Sequence, residues 1–131
     1  MLEGGVNSSE AIDRTVLSSL RELQEDGEPD IVAEIGGIFL KHSPEKIDAI
    51  EKAAENGDAK GLQFAAHSLK SSSAYVGAMR LSSMSKELEQ MGRSQQMEGS
   101  KEKARLLKEE YLRAQAVLKR EIESGSTKAQ N

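Results

Sequence analysis

Apolar residues recur at intervals of three and four along almost the whole chain, and two-residue alternation never persists long enough to suggest a strand. That period allows amphipathic helices and little else. Composition agrees: aromatics are 3% of the 131 residues and Trp is absent, whereas 31% are Asp, Glu, Lys or Arg. A sheet would need more Val, Thr, Tyr and Phe. One domain of this length can enclose a single core.

Punctuation divides the pattern. Asp13 stands as an N-cap, with Ile12 and Leu17 at the spacing of a hydrophobic staple, and Val16, Leu17, Leu20 and Leu23 form the first stripe up to Asp26-Gly27. Pro29 suits the first position of a second helix with the stripe Ile31, Ile35, Ile38 and Phe39. Gly36-Gly37 weakens that helix by about 2 kcal/mol relative to two alanines, so packing must hold it. Ser43-Pro44 is either a new start or a kink, because proline pushes its predecessor out of the helical region. Ile47, Ile50 and Ala54 lead to Asn56-Gly57, and Asp58 caps a helix through Leu62, Ala66, Leu69, Ser73 and Val76 that ends at Gly77. Leu81, Met84, Leu88 and Met91 follow, closed by Gly92 and a polar loop over 94–99. Ser100 caps a last helix carrying Leu107, Tyr111, Ala114, Leu118 and Ile122, and Gly125 stops it.

The expected architecture is all-α, an up-and-down antiparallel four-helix bundle with an additional N-terminal helix. It occupies residues 12–125, between a flexible lead (1–11) and a disordered tail (126–131). Because stripes are broken by Gly and Pro rather than sustained as heptads, a coiled coil fits less well.

Several function classes drop out. Without cysteine there is no disulfide, thiolate metal site or thiol nucleophile. The least polar run, residues 35–40, is far short of a bilayer span. A net charge of −4 with interspersed signs argues against nucleic acid. We therefore expect a soluble, cytoplasmic monomer without membrane contact. His67 and His42 are the only imidazoles, and no carboxylates stand around either at ligand spacing, so no bound metal or other cofactor is expected.

At about 100° per residue, His67 points roughly 140° away from Leu62 and its stripe. Phe64, Ser71, Ala74 and Ala78 lie around it, and Lys70 flanks it. A solvated face normally carries long charged side chains; small neighbours around one imidazole leave room for another protein's active site. An isolated exposed His is by default only a solvated polar residue, and the local sequence argues otherwise.

The run His67-Ser68-Leu69-Lys70-Ser71-Ser72-Ser73-Ala74-Tyr75-Val76-Gly77-Ala78 resembles the signature of histidine-containing phosphotransfer (HPt) domains. Ala65-Ala66 and Leu88-Glu89 are similar to that family too, and the resemblance spans about residues 12–122. It implies a phosphorelay intermediate in which His67 accepts a phosphoryl group from a receiver-domain aspartate and passes it to another. The partners implied are receiver domains of response regulators and of a hybrid sensor kinase, with Mg2+ held in the receiver. Lys70 would stabilise the phosphoryl charge. Ser71 stands where the family usually has Gly, and its hydroxyl either donates to a phosphoryl oxygen or crowds the partner. Phe64, Ala74, Gly77 and Ala78 are the expected partner-binding residues, with Met79 near them. A sensor kinase's own phosphoacceptor helix would continue His-Glu with a proline about five residues on, where this chain has Ser68 and Ser72; no glycine-rich nucleotide segment is present either. No autokinase activity is expected.

Other residues take structural readings: Gly77 as a chain reversal, Ser72 and Ser73 as small contacts, Tyr75 and Tyr111 as packing, and Arg93 as a C-terminal arginine complementing the helix dipole, the alternative being a reach toward the phosphoryl group from the adjacent helix. The competing functional class is an adaptor bundle that binds receivers without carrying phosphate. Lys70 is read as exposed, so its removal should slow transfer without loss of stability.

Overall fold

The computed structural model describes residues 10–130, and among these it contains five helices and no strand: α1 (Arg14–Glu22), α2 (Ile31–Asn56), α3 (Ala59–Tyr75), α4 (Met79–Ser94) and α5 (Ser100–Gln130). Helices α2 to α5 close a ring in which α2 touches α3 and α5, and α4 touches α3 and α5, while α1 lies on α2. Residues 57–58, 76–78 and 95–99 are too few to do anything but reverse the chain, so sequential helices run antiparallel. The bundle with its extra N-terminal helix is as the periodicity predicts.

Asp13 caps α1, its carboxylate accepting from the Thr15 N–H at 2.9 Å, and the staple pair Ile12 and Leu17 is buried. The helix stops at Glu22, earlier than Asp26-Gly27 suggests, and Leu23 at its C-cap is left exposed rather than continuing the stripe. Pro29 falls two residues before the first position of α2, with Asp30 between them as the N-cap. Ile38 is exposed as well. The buried face of α2 is Val32, Gly36, Phe39, Ser43, Ile47 and Ile50, rotated so that Gly36 sits against Leu118 and Ile122 of α5.

Pro44 neither restarts nor divides α2, which is continuous to Asn56. A proline inside a helix costs about 3 kcal/mol, and the helix survives because its buried residues continue on both sides. Beside it the Ser43 hydroxyl donates to the Tyr111 hydroxyl on α5 at 2.8 Å.

Asp58 caps α3 through the Gly61 N–H at 2.9 Å, and the stripe Leu62, Ala66, Leu69, Ser73 and Val76 is fully buried. Gly77 ends the run at φ +83°, a conformation that favours glycine. Its carbonyl accepts from the Asp13 N–H at 2.7 Å, which ties the start of α1 to the corner between α3 and α4.

Gly92 does not close α4, which runs to Ser94 and is capped by Gln95. It lies inside the helix against α3, where an added Cβ would meet the Ala59 carbonyl at 2.5 Å and the Gln63 nitrogen at 2.7 Å. Ser100 opens α5, whose backbone passes through Gly125 to Gln130; the tail expected from residue 126 is therefore helical as far as Gln130. One glycine costs about 1 kcal/mol in a helix, too little to stop it unaided. At the other end Ala11, assigned to the flexible lead, is packed in the core. The expectations for residues 1–9 and 131 lie outside the described residues.

Candidate phosphoacceptor site on helix 3

His67 occupies the middle of α3 on the face opposite the buried stripe, with its side chain 60% exposed. The same placement leaves Phe64 and Ser71 exposed and Ala74 half-buried. Gly77 and Ala78 are buried, so neither lines that surface. The wheel that placed Ala78 beside the imidazole fails because α3 ends at Tyr75 and the chain turns inward. Tyr75, assigned to packing, is 67% exposed. With Ile35, Ile38, Phe39, Ser72 and Val76 it borders an open apolar groove of about 270 Å³ between α2 and α3, on the flank of the His67 face. Met79 is exposed nearby in sequence, whereas Met84 and Met91 pack against the core.

The imidazole is not alone. On α4, Ser85, Glu89 and Gly92 are buried at helical spacing, and the close approach at Gly92 brings Glu89 under His67. One carboxylate oxygen, Oε2, accepts from His67 Nδ1 at 2.7 Å and from Arg93 Nη2 at 3.0 Å; the other, Oε1, accepts from Lys70 Nζ at 2.7 Å. Glu89 itself is only 2% exposed. Burial alone would push its carboxyl up, but hydrogen bonds and charge from Lys70 and His67 outweigh that and hold it below the usual carboxylate range. An ionised carboxylate can only accept, so it assigns the proton of the neutral ring to Nδ1 and leaves Nε2 with a free lone pair. Nε2 is the atom on the solvent side of that anchor.

Lys70 is accordingly half-buried and paired, a correction to its reading as a free surface lysine, and the Ser82 hydroxyl donates to its carbonyl at 2.9 Å. Arg93 grips Glu89 rather than merely ending a helix. Sequence reading passed over Glu89 except as half of Leu88-Glu89. The signal was there: a lone carboxylate among Leu81, Ser85, Leu88 and Gly92 lies on a buried face, where a charge must have partners. Among the described residues no three His, Asp or Glu side chains gather to hold a metal ion.

The Hpt domain family profile matches residues 34–117, a stretch holding all four polar residues of the site. Histidine-containing phosphotransfer protein 5 of Arabidopsis thaliana is 39% identical over 67 residues, covering 49% of this chain. Histidine-containing phosphotransfer protein 4 of the same plant is 31% identical over 94 residues, covering 70% of this chain. The chain spans 43% of the first relative's length and 74% of the second's. The crystal structure of histidine-containing phosphotransfer protein B (HptB) from Pseudomonas aeruginosa PAO1 superposes with a TM-score of 0.78 at 28% identity, over 89% of this chain and 98% of that one. A profile match across most of the chain, joined to the same helical bundle, places this protein in the Hpt domain family.

Proposed function

We propose that this chain is a phosphorelay carrier: His67 accepts a phosphoryl group from the aspartate of one receiver domain and gives it to the aspartate of another. The observation that carries the reading is the bond from His67 Nδ1 to buried Glu89, which turns Nε2 outward as the nucleophile. Imidazole suits a relay because its unprotonated nitrogen attacks near neutral pH and the phosphoramidate can be given up again.

In the loading step Nε2 attacks the phosphorus of an aspartyl phosphate, the Nε2–P bond forms, and the old P–O pair leaves with the carboxylate. Catalysis of such a transfer is positioning and charge stabilisation. Lys70 is one turn from His67, so its ammonium can turn from Glu89 to the phosphoryl oxygens; Ser71, also exposed, offers a hydroxyl. Magnesium would come from the receiver's acidic pocket; among the described residues no group of three His, Asp or Glu side chains could hold it here. With no nucleotide-binding segment, it would not phosphorylate itself from ATP.

The receiver would settle on Phe64 and Ala74, with Ile38 and Tyr75 extending the surface across the groove. We place the carrier in the cytoplasm as a monomer; among the described residues no helix is long and apolar enough to cross a membrane. Incubation with a phosphorylated receiver should yield an acid-labile, alkali-stable phosphoprotein that is lost in His67→Gln. If wild-type protein binds the receiver and never takes label, the non-phosphorylated adaptor is the correct reading.

A further inference from the structure

Charges around the site are sorted by sign. Although the chain carries a net charge of −4, α3 contains no Asp or Glu over its whole length, and its exposed cation, Lys60, stands two turns before His67 on the same face. The carboxylate of Asp58, just ahead of it, is taken up by the Gly61 N–H. On α4 there are two carboxylates: Glu89 is buried, and Glu87 turns away to meet Lys103 of α5 at 3.1 Å. The edge of α4 that borders α3 is fixed by the contacts of Ser82 with the Lys70 carbonyl and of Glu89 with His67. Lys86 lies between those two contacts, exposed and seven residues before Arg93, hence on one line of the helix with it. Among the described residues neither Lys60 nor Lys86 forms an ion pair.

We propose that Lys60 and Lys86 choose the partner: they draw onto His67 those receiver domains whose phosphorylated aspartate is rimmed by exposed carboxylates, and disfavour receivers rimmed by cations. The proposal rests on the carrier reading above and names the class of receiver that the reading leaves open.

The two flanks of the imidazole differ in kind. On the α2 side Glu45 stands beside Lys46 and the rest of the groove is largely apolar, so that side can hold receivers of either sign. Discrimination falls to the α4 side. There an acidic rim meets only cations, while the molecule as a whole repels it, so the field orients the encounter as well as speeding it. Lys60 is about 10 Å along the helix from His67, too far to take over the task of Lys70 at the phosphoryl group. It is nevertheless within about one Debye length, at physiological salt, of the rim of any domain seated on the ring.

The test uses the full chain, a panel of purified phosphorylated receiver domains ranked by the charge around their aspartate, and phosphoramidate as a small donor that has no rim. With Lys60→Glu and Lys86→Glu combined, the second-order rate of transfer from acidic-rimmed receivers should fall about tenfold at about 0.01 M salt. It should return to the wild-type rate at about 1 M salt, where charges are screened beyond about 3 Å. Transfer from basic-rimmed receivers should quicken, and loading by phosphoramidate should not change. The neutral pair, Lys60→Gln with Lys86→Gln, should show the same pattern at smaller size, and it decides the matter if the reversed pair does not fold. The proposal is overturned if the variants match wild type at low salt, or if their deficit persists at high salt. It is also overturned if phosphoramidate loading falls in step with transfer, which would put the effect at His67 instead of in docking. Failure of the carrier reading would look different, as a wild-type chain that no receiver labels.

Discussion

Alanine placed at two helical glycines should move stability in opposite directions, and the structure sets the sizes. At Gly37 an added Cβ meets nothing within 4 Å, so Gly37→Ala gains helix propensity alone, about 0.5–1 kcal/mol. At Gly92 the same methyl falls 2.5 Å from the Ala59 carbonyl and 2.7 Å from the Gln63 nitrogen. Both are backbone atoms of α3 and cannot rotate away, so the two helices must part by about an ångström to restore ordinary contact. Overpacking of this kind costs about 1–3 kcal/mol, which exceeds the propensity gain, and Gly92→Ala should be less stable by about 1–2 kcal/mol. Because Glu89 is one turn before Gly92, the parting also lengthens its reach to His67. Urea unfolding at equilibrium measures both variants. A Gly92→Ala protein as stable as Gly37→Ala would refute the argument that α3 and α4 meet through bare backbone.

Three further expectations concern the site and the core. Lys70→Met should slow phosphotransfer and also cost about 1–3 kcal/mol, since it leaves a buried carboxylate oxygen unpaired; thermal and urea unfolding alongside transfer kinetics would show both effects. Leu69→Ala, fully buried one residue away, should cost about 2–5 kcal/mol by cavity formation and leave the chemistry of His67 in place, as read by unfolding and by labelling of the folded fraction. Since the Glu89 carboxyl is held below its ordinary range, its contribution to stability is present above the unfolded group's titration and is lost as pH falls through the folded value. The acid limb of the stability curve should therefore be flatter in Glu89→Gln than in wild type, which unfolding at a series of acidic pH values would test.

Helix number, order and the buried stripe of α3 were legible because a 3.6-residue period is a strong signal, and Asp13 and Asp58 are caps with a single interpretation. What misled was local chemistry that tertiary packing overrode. Pro44 and Gly125 are breakers in isolation, but both lie within continuous helix. Ile38 and Tyr75 are apolar enough to look like core, and the exposed side of a groove holds them instead. At the site, His67 could be found from one helix alone. Its anchor could not, because the meeting of Glu89 with His67 and Lys70 depends on how closely α4 approaches α3, and a wheel drawn for one helix carries no such distance.

The hydrogen bond from Asp13 to Gly77 has a consequence of its own. A Cβ at Gly77 would fall 2.7 Å from the Asp13 carbonyl, so the first helix is clasped main chain to main chain at the joint that sets the angle between imidazole helix and carboxylate helix. Fraying of the leading helix would then be felt across the molecule as slack at that joint, and exchange of the Asp13 amide is a gauge of how firmly His67 and Glu89 are held together.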